Sequence, residues 1–279
     1  MRIFPASLTL LAAFLPCAAP AQTADPSTGG DFIIVGIGAG SVPDYEGSSH
    51  QQLVPVPGVV GSVGGIGFAY LGNQIRVDLI RAPDGPGWSP IVGPVASLGL
   101  NRASVKGIED PRIRALGKVG LSVELGGMAG IQRRGVITSD YDRLSLTVSV
   151  RHDVAGGHGG TLIDPSITYM TPLSRKAMVL MFASATHADG HYARSYYRIT
   201  PGQSAASGLP VFDARGGWKD LTLGGAGAVS LTGDLTHGLS LMGGVVYSRL
   251  INDFADSPVV SIAGSRDQWL LAVGLAYTF

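Results

Sequence analysis

The residues with the densest metal-ligating chemistry are His187-Ala188-Asp189-Gly190-His191. On an extended chain, positions i, i+2 and i+4 share a face, so His187, Asp189 and His191 would converge on a zinc-sized ion. No fourth ligand stands beside them, and the same residues equally suit the polar rim where a strand ends. No metal is assigned on this basis. A second stretch, IIVGIGAGS at 33–41, runs an apolar segment into alternating glycines, as a dinucleotide-binding fold often begins. Gly36 and Gly38 fit the first two fingerprint positions, but Ser41 occupies the third. Pro43 and Gly47 then fall where the phosphate-binding helix would have to start. The ribose-binding acid is also missing, because no Asp or Glu occurs between Glu46 and Asp78. A serine hydrolase needs a nucleophile, a base and an orienting acid, yet Ser, His and Asp are scattered and no G-x-S-x-G occurs. The sequence therefore assigns no catalytic residue, no cofactor-binding residue and no cofactor.

The elements that hold these residues point elsewhere. The chain has 279 residues, 45% of them apolar, with 41 glycines and a single cysteine. Arg2, an apolar core at 6–15 and Ala19-Pro20-Ala21 read as an export signal over residues 1–21, with the mature chain starting near Gln22. Cleavage there removes Cys17, leaving no thiol or disulfide chemistry. A lipoprotein signal is disfavoured by Pro16 directly before that cysteine. Without Arg2 the chain carries 19 basic and 20 acidic residues, and no basic run marks a nucleic-acid partner. No mature segment has the roughly 18 consecutive apolar residues of a membrane helix.

The last eleven residues, WLLAVGLAYTF, alternate with period two. Trp269, Leu271, Val273, Leu275, Tyr277 and Phe279 share one face, and mostly small residues fill the other. A strand with a greasy outer face that ends in aromatics is the pattern of a transmembrane barrel. Tyr277 and Phe279 also resemble the C-terminal signal read by the barrel-assembly machinery. The alternation recurs at 144–151, 119–126, 75–79, 221–232 and 239–248. It predicts an all-β fold: one transmembrane antiparallel barrel domain over 22–279, embedded in outer-membrane lipid. Twelve strands are expected at 31–39, 52–60, 64–71, 74–81, 90–100, 118–131, 142–154, 160–171, 176–188, 219–231, 239–251 and 268–279; ten is the alternative. Even parity places both termini in the periplasm, the longer connections outside and the shorter turns inside. Gly36, Gly38 and Gly40 then face the lumen.

Within such a barrel, Arg76, Asp78, Glu124 and Arg151 point inward. They either line a weakly selective pore or pair to plug a narrow lumen. The long connection at 189–218 carries tyrosines and apolar residues, among them Leu209, Val211, Phe212 and Trp218. It either offers a contact surface or folds onto the barrel mouth.

The connections carry a family resemblance. Pro43, Tyr45 and Gly47 make a Pro-x-Tyr-x-Gly element, and Gly156-Gly157-His158 a GGH element. Tyr192, Tyr196 and Tyr197 run into Thr200, Pro201, Gln203, Ser204, Ser207, Gly208, Leu209 and Pro210. Ser248-Arg249-Leu250, Asp256-Ser257-Pro258 and Gly264-Ser265-Arg266 follow in order. In these motifs the chain resembles the MipA/OmpV family of outer-membrane proteins; residues 101–116 match that pattern only loosely. The resemblance implies a scaffold rather than an enzyme. Its periplasmic face would bind an MltA-type membrane-bound lytic transglycosylase and a bifunctional penicillin-binding protein in peptidoglycan growth. OmpV-like relatives imply alternatives: a small-solute pore tied to osmotic or drug response, or a surface adhesin.

Overall fold

A computed structural model describes residues 31–81 and 85–279; the expected export signal at 1–21, with Cys17, lies outside the described residues. Twelve strands follow in chain order: β1 (Phe32–Pro43), β2 (Gln51–Val63), β3 (Ile66–Leu71), β4 (Gln74–Asp78), β5 (Gly87–Gly99), β6 (Ser122–Arg134), β7 (Arg143–Asp153), β8 (Thr161–Ser174), β9 (Ala177–Ala188), β10 (Gly217–Ser230), β11 (Gly238–Leu250) and β12 (Asp267–Thr278). Each pairs antiparallel with the next, and β1 closes on β12 in the register Ile34 to Thr278 through Ser41 to Leu271. Closure leaves no free sheet edge, as a barrel in hydrocarbon requires. The twelve-strand expectation is met.

Alternation along each strand sets the two faces. On β12, Trp269, Leu271, Val273, Leu275 and Tyr277 are exposed outward, while Gln268, Leu270 and Ala276 are buried inward. On β1, Ile33, Val35 and Ile37 face out, and Gly36, Gly38 and Gly40 face in. Small inward residues are needed here because the walls come close. A Cβ on Gly38 would lie 2.4 Å from the Val273 carbonyl oxygen. Aromatic girdles flank the apolar belt. At one end Tyr247 tilts against Trp269, ring centroids 4.8 Å apart, and Trp218 meets His187; at the other Tyr277 packs on Phe279, also at 4.8 Å, and Arg133 lies over Trp88.

The two ends of the barrel differ. Short turns at 64–65, 135–142, 175–176 and 231–237 share one end with the start of β1 and the finish of β12. The long connections at 100–121, 189–216 and 251–266 crowd the other and carry five short helices: α1 (Pro111–Ala115), α2 (Gly190–Tyr197), α3 (Pro201–Ser207), α4 (Asn252–Asp256) and α5 (Pro258–Ser261). In outer-membrane barrels the longer connections lie outside and the short turns in the periplasm, and the outer loops are numbered below on that expectation.

Candidate functional site: a charged chamber beneath a loop plug

Buried charge concentrates in the loop-end half of the lumen. A charge there must find partners or be hydrated, because the wall offers little polarisability. Arg151 of β7 donates from Nη1 to Glu124 Oε2 of β6 at 2.6 Å and from Nη2 to Asp164 Oδ2 of β8 at 2.8 Å. The second Glu124 oxygen lies 3.1 Å from His158 Nε2, in the connection between β7 and β8. His158 Nδ1 accepts the Gly160 N–H at 3.0 Å, so Nε2 is the ring nitrogen left to donate to Glu124. Across the lumen, Lys219 of β10 pairs with Glu46 Oε1 from the first outer loop and with Asp220 Oδ2 at 3.2 Å. On β4, Arg76 Nε donates to Gln74 Oε1 at 2.6 Å. These groups surround a cavity of about 80 Å³. Arg76, Arg151 and Lys219 meet Glu46, Glu124, Asp164 and Asp220 there, one anion more than cations.

Glu46 ties the chamber to its cover. Its Oε2 accepts from the Tyr192 hydroxyl at 2.7 Å, and its backbone N–H donates to Asn101 Oδ1 at 3.3 Å. Burial alone would raise the Glu46 pKa, but the Lys219 ammonium and the hydrogen bonds to the carboxylate together outweigh it and hold the carboxyl below its ordinary range. Burial, and then the Glu46 charge, push the phenols of Tyr192 and Tyr197 well above theirs, so both stay protonated.

The cover is a packed plug. Helix α2 starts at Asp189, whose carboxylate accepts the His191 and Tyr192 N–H groups at 3.0 Å each. It lays Tyr192, Tyr196 and Tyr197 into a core with Leu250 and Phe254, where the Tyr197 and Phe254 rings meet edge to face at 5.1 Å. Helix α3 is fixed by the Thr200–Gln203 capping box, and Gln203 Nε2 also donates to the Leu116 carbonyl at 3.0 Å. A second core joins Tyr45, Ile108, Ile113, Leu209 and Val259. The fully buried Tyr45 hydroxyl donates to the Ala263 carbonyl at 2.8 Å. Arg102 ties the third outer loop to the fifth by donating to the Tyr196 carbonyl at 3.0 Å.

The family described as MltA-interacting protein MipA matches residues 35–279, from within β1 to the last residue. The chain belongs to the MipA family. No curated protein matches the chain. Solved structures similar to it include an outer-membrane channel from Pseudomonas putida F1, at 15% identity and a TM-score of 0.40, covering 90% of this chain and 96% of that one. The outer-membrane channel DcaP of Acinetobacter baumannii gives 9% identity and a TM-score of 0.40 at the same coverage. The translocator domain of autotransporter NalP from Neisseria meningitidis gives 12% and 0.37, covering 92% of this chain and 91% of that one.

The motifs that carried the MipA/OmpV resemblance meet in the plug. Tyr45 and Gly47 lie against α5, His158 reaches Glu124, the tyrosines form α2, and Ser257 Oγ donates to the Tyr197 carbonyl at 2.7 Å. The metal-type stretch is dispersed instead. Strand β9 stops at Ala188, so the shared face ends before His191. His187 packs edge-on against Trp218 at 5.5 Å, Asp189 caps α2, and His191 is exposed. Of the four predicted inward charges, Arg76, Glu124 and Arg151 line the chamber, while Asp78 accepts the Ile80 N–H at 3.1 Å at the turn end of β4. Sequence reading missed Glu46, Asp164, Lys219 and Asp220. Lys219 lies at a bulge, where the register of β10 on β9 shifts between Trp218 and Asp220, so a strict period of two misassigns it. Asp164 follows the alternation of β8 and was within reach of that signal.

Proposed function

We propose that the protein is a non-enzymatic outer-membrane scaffold. Its turn end docks peptidoglycan-remodelling enzymes of the MltA-type lytic transglycosylase class, together with a penicillin-binding protein. Membership of the MipA family supports this, and one structural observation carries it. The turn between β6 and β7 is built as a fixed projection. Asp142, fully buried, accepts the N–H groups of Val136, Ile137 and Thr138 at 2.6, 2.8 and 2.6 Å and the hydroxyls of Thr138 and Tyr169 at 3.1 and 2.8 Å. That network holds Ile137 and Tyr141 in the open, 71% and 55% exposed. A preorganised apolar patch on a short turn suits protein docking, because little ordering entropy is lost on binding.

A pore is the second reading, favoured by the charged chamber. The tightly packed plug above it argues against free passage. Capture of a purified lytic transglycosylase by the refolded barrel, measured with single-channel conductance on the same sample, separates the two. Capture without conductance supports the scaffold. Conductance without capture replaces it with a channel.

A further inference from the structure

Below the charged chamber the lumen changes character. Toward the turn end lie two adjoining cavities of about 230 and 110 Å³. Both border on Gly36, Gly58, Leu71, Leu180 and Met242, and the larger also on Phe182. Met242 points into the lumen between Ser240 and Gly244, yet it remains 40% exposed. Ala226 beside it is also exposed. An inward methionine packed in a filled core would be covered on all sides, since protein interiors hold few voids larger than a water molecule. Water gains nothing from walls made of carbon, and an apolar cavity of ~150 Å³ in another protein stays dry and takes up benzene.

The chamber has a floor and a ceiling. Leu235, in the turn between β10 and β11, folds into the mouth and is 6% exposed. Its N–H donates to the Arg175 carbonyl at 2.9 Å, and its carbonyl accepts from Thr278 Oγ1 at 3.4 Å. Leu71 borders both the apolar space and the charged chamber above it. That upper chamber is lined by four carboxyl groups against three cations, each carboxyl group already engaged with Arg151 or Lys219, so it offers a negative head group no attraction at the top of an apolar tail.

We infer that the turn-end lumen is a binding chamber for an uncharged hydrocarbon chain. The source is either a bilayer acyl chain or a free apolar molecule entering past Leu235. The inference goes beyond the docking function and stands without it.

The test uses the full-length barrel in lipid nanodiscs with isotope-labelled methionine methyl groups, titrated with n-decane. Met242 and Met178 are expected to shift saturably, while Met181, exposed on the outer face of β9, follows simple partition into lipid. Ala226→Leu, and separately Ala272→Leu, put larger side chains into the space and should abolish the saturable shift. Cross-relaxation from Met242 to bilayer acyl protons before any addition identifies lipid as the occupant; cross-relaxation only to added n-decane identifies a free hydrocarbon. A Met242 signal that tracks Met181 linearly, with no contact to acyl protons, overturns the proposal.

Discussion

Asp142 closes the turn between β6 and β7 by receiving three backbone N–H groups and two hydroxyls on one carboxylate. Burial would raise its pKa, but the N–H donors from Val136, Thr138 and Ile137 outweigh that and hold the carboxyl well below the usual range. A depressed folded pKa means the ionised form is the stabilising one. The contribution is therefore complete above the unfolded value of about 4 and declines as pH falls through the folded one. Asp142→Ala should cost about 2 kcal/mol, since hydrogen bonds to a charged group are lost and several amides are left without an acceptor. A lower urea midpoint at neutral pH checks this, and the gap to the parent should narrow at strongly acid pH. Lys219 poses the opposite problem, a cation held between Glu46 and Asp220. Lys219→Met leaves two buried carboxylates facing each other. It should destabilise by about 3 kcal/mol or more, whereas the double change with Glu46→Gln should recover part of the loss. The temperature at which the folded band is lost on heat-modifiability gels reports both.

The plug depends on backbone contacts that admit no side chain. Gly47 has φ +97°, and a Cβ there would meet Val260 Cγ2 at 2.6 Å; a Cβ on Gly264 would lie 1.8 Å from the Gly47 carbonyl oxygen. The first and sixth outer loops are thus pressed together, with the Ser265 N–H donating to the Gly47 carbonyl at 2.8 Å. Gly264→Val should part these loops without unfolding the strands. Protease cleavage within 251–266 is expected to rise while the far-ultraviolet spectrum and the heat-modified mobility stay unchanged; an uncut loop would show that the contact is dispensable. Strands and plug differ in how far the sequence announces them. Where one face meets lipid a period of two marks the strand, as at 75–79, 119–126, 144–151, 221–232, 239–248 and 269–279, whereas β2 and β3 alternate weakly; the expected strands differ from those observed only at their ends, where β1 continues to Pro43 beyond the expected 39 and β4 stops at Asp78 before the expected 81. The plug helices are short, and their apolar residues pack against other loops rather than a continuous face, so no period marks them. Tyr192 and Tyr196 were visible as unusual residues. That they roof a Glu46–Lys219 pair follows only from bringing residues 46, 192 and 219 together in space.

At the scale of the whole barrel, charge and order are distributed unequally along the axis. The loop end is covered by α1–α5 over a layer of paired charges, the lumen below it is apolar, and the turn end presents a fixed hydrophobic projection. A channel would place its selective charges where solute must pass, but here Glu46 is spent holding Lys219 and Tyr192. A scaffold needs only its docking face to be exposed and fixed. Ile137→Asp combined with Tyr141→Ser tests this at the one place where the two functions separate. Neither side chain supports the fold, since both are exposed, so heat-modified mobility should not change. Capture of the lytic transglycosylase should fall at least ~10-fold, as expected when the apolar anchors of a small interface are removed. The same pair of substitutions should leave single-channel conductance where it stood, because neither residue borders the charged chamber. Unchanged capture would remove this turn from the docking face. A change in conductance without loss of capture would move the function from the turn end into the lumen.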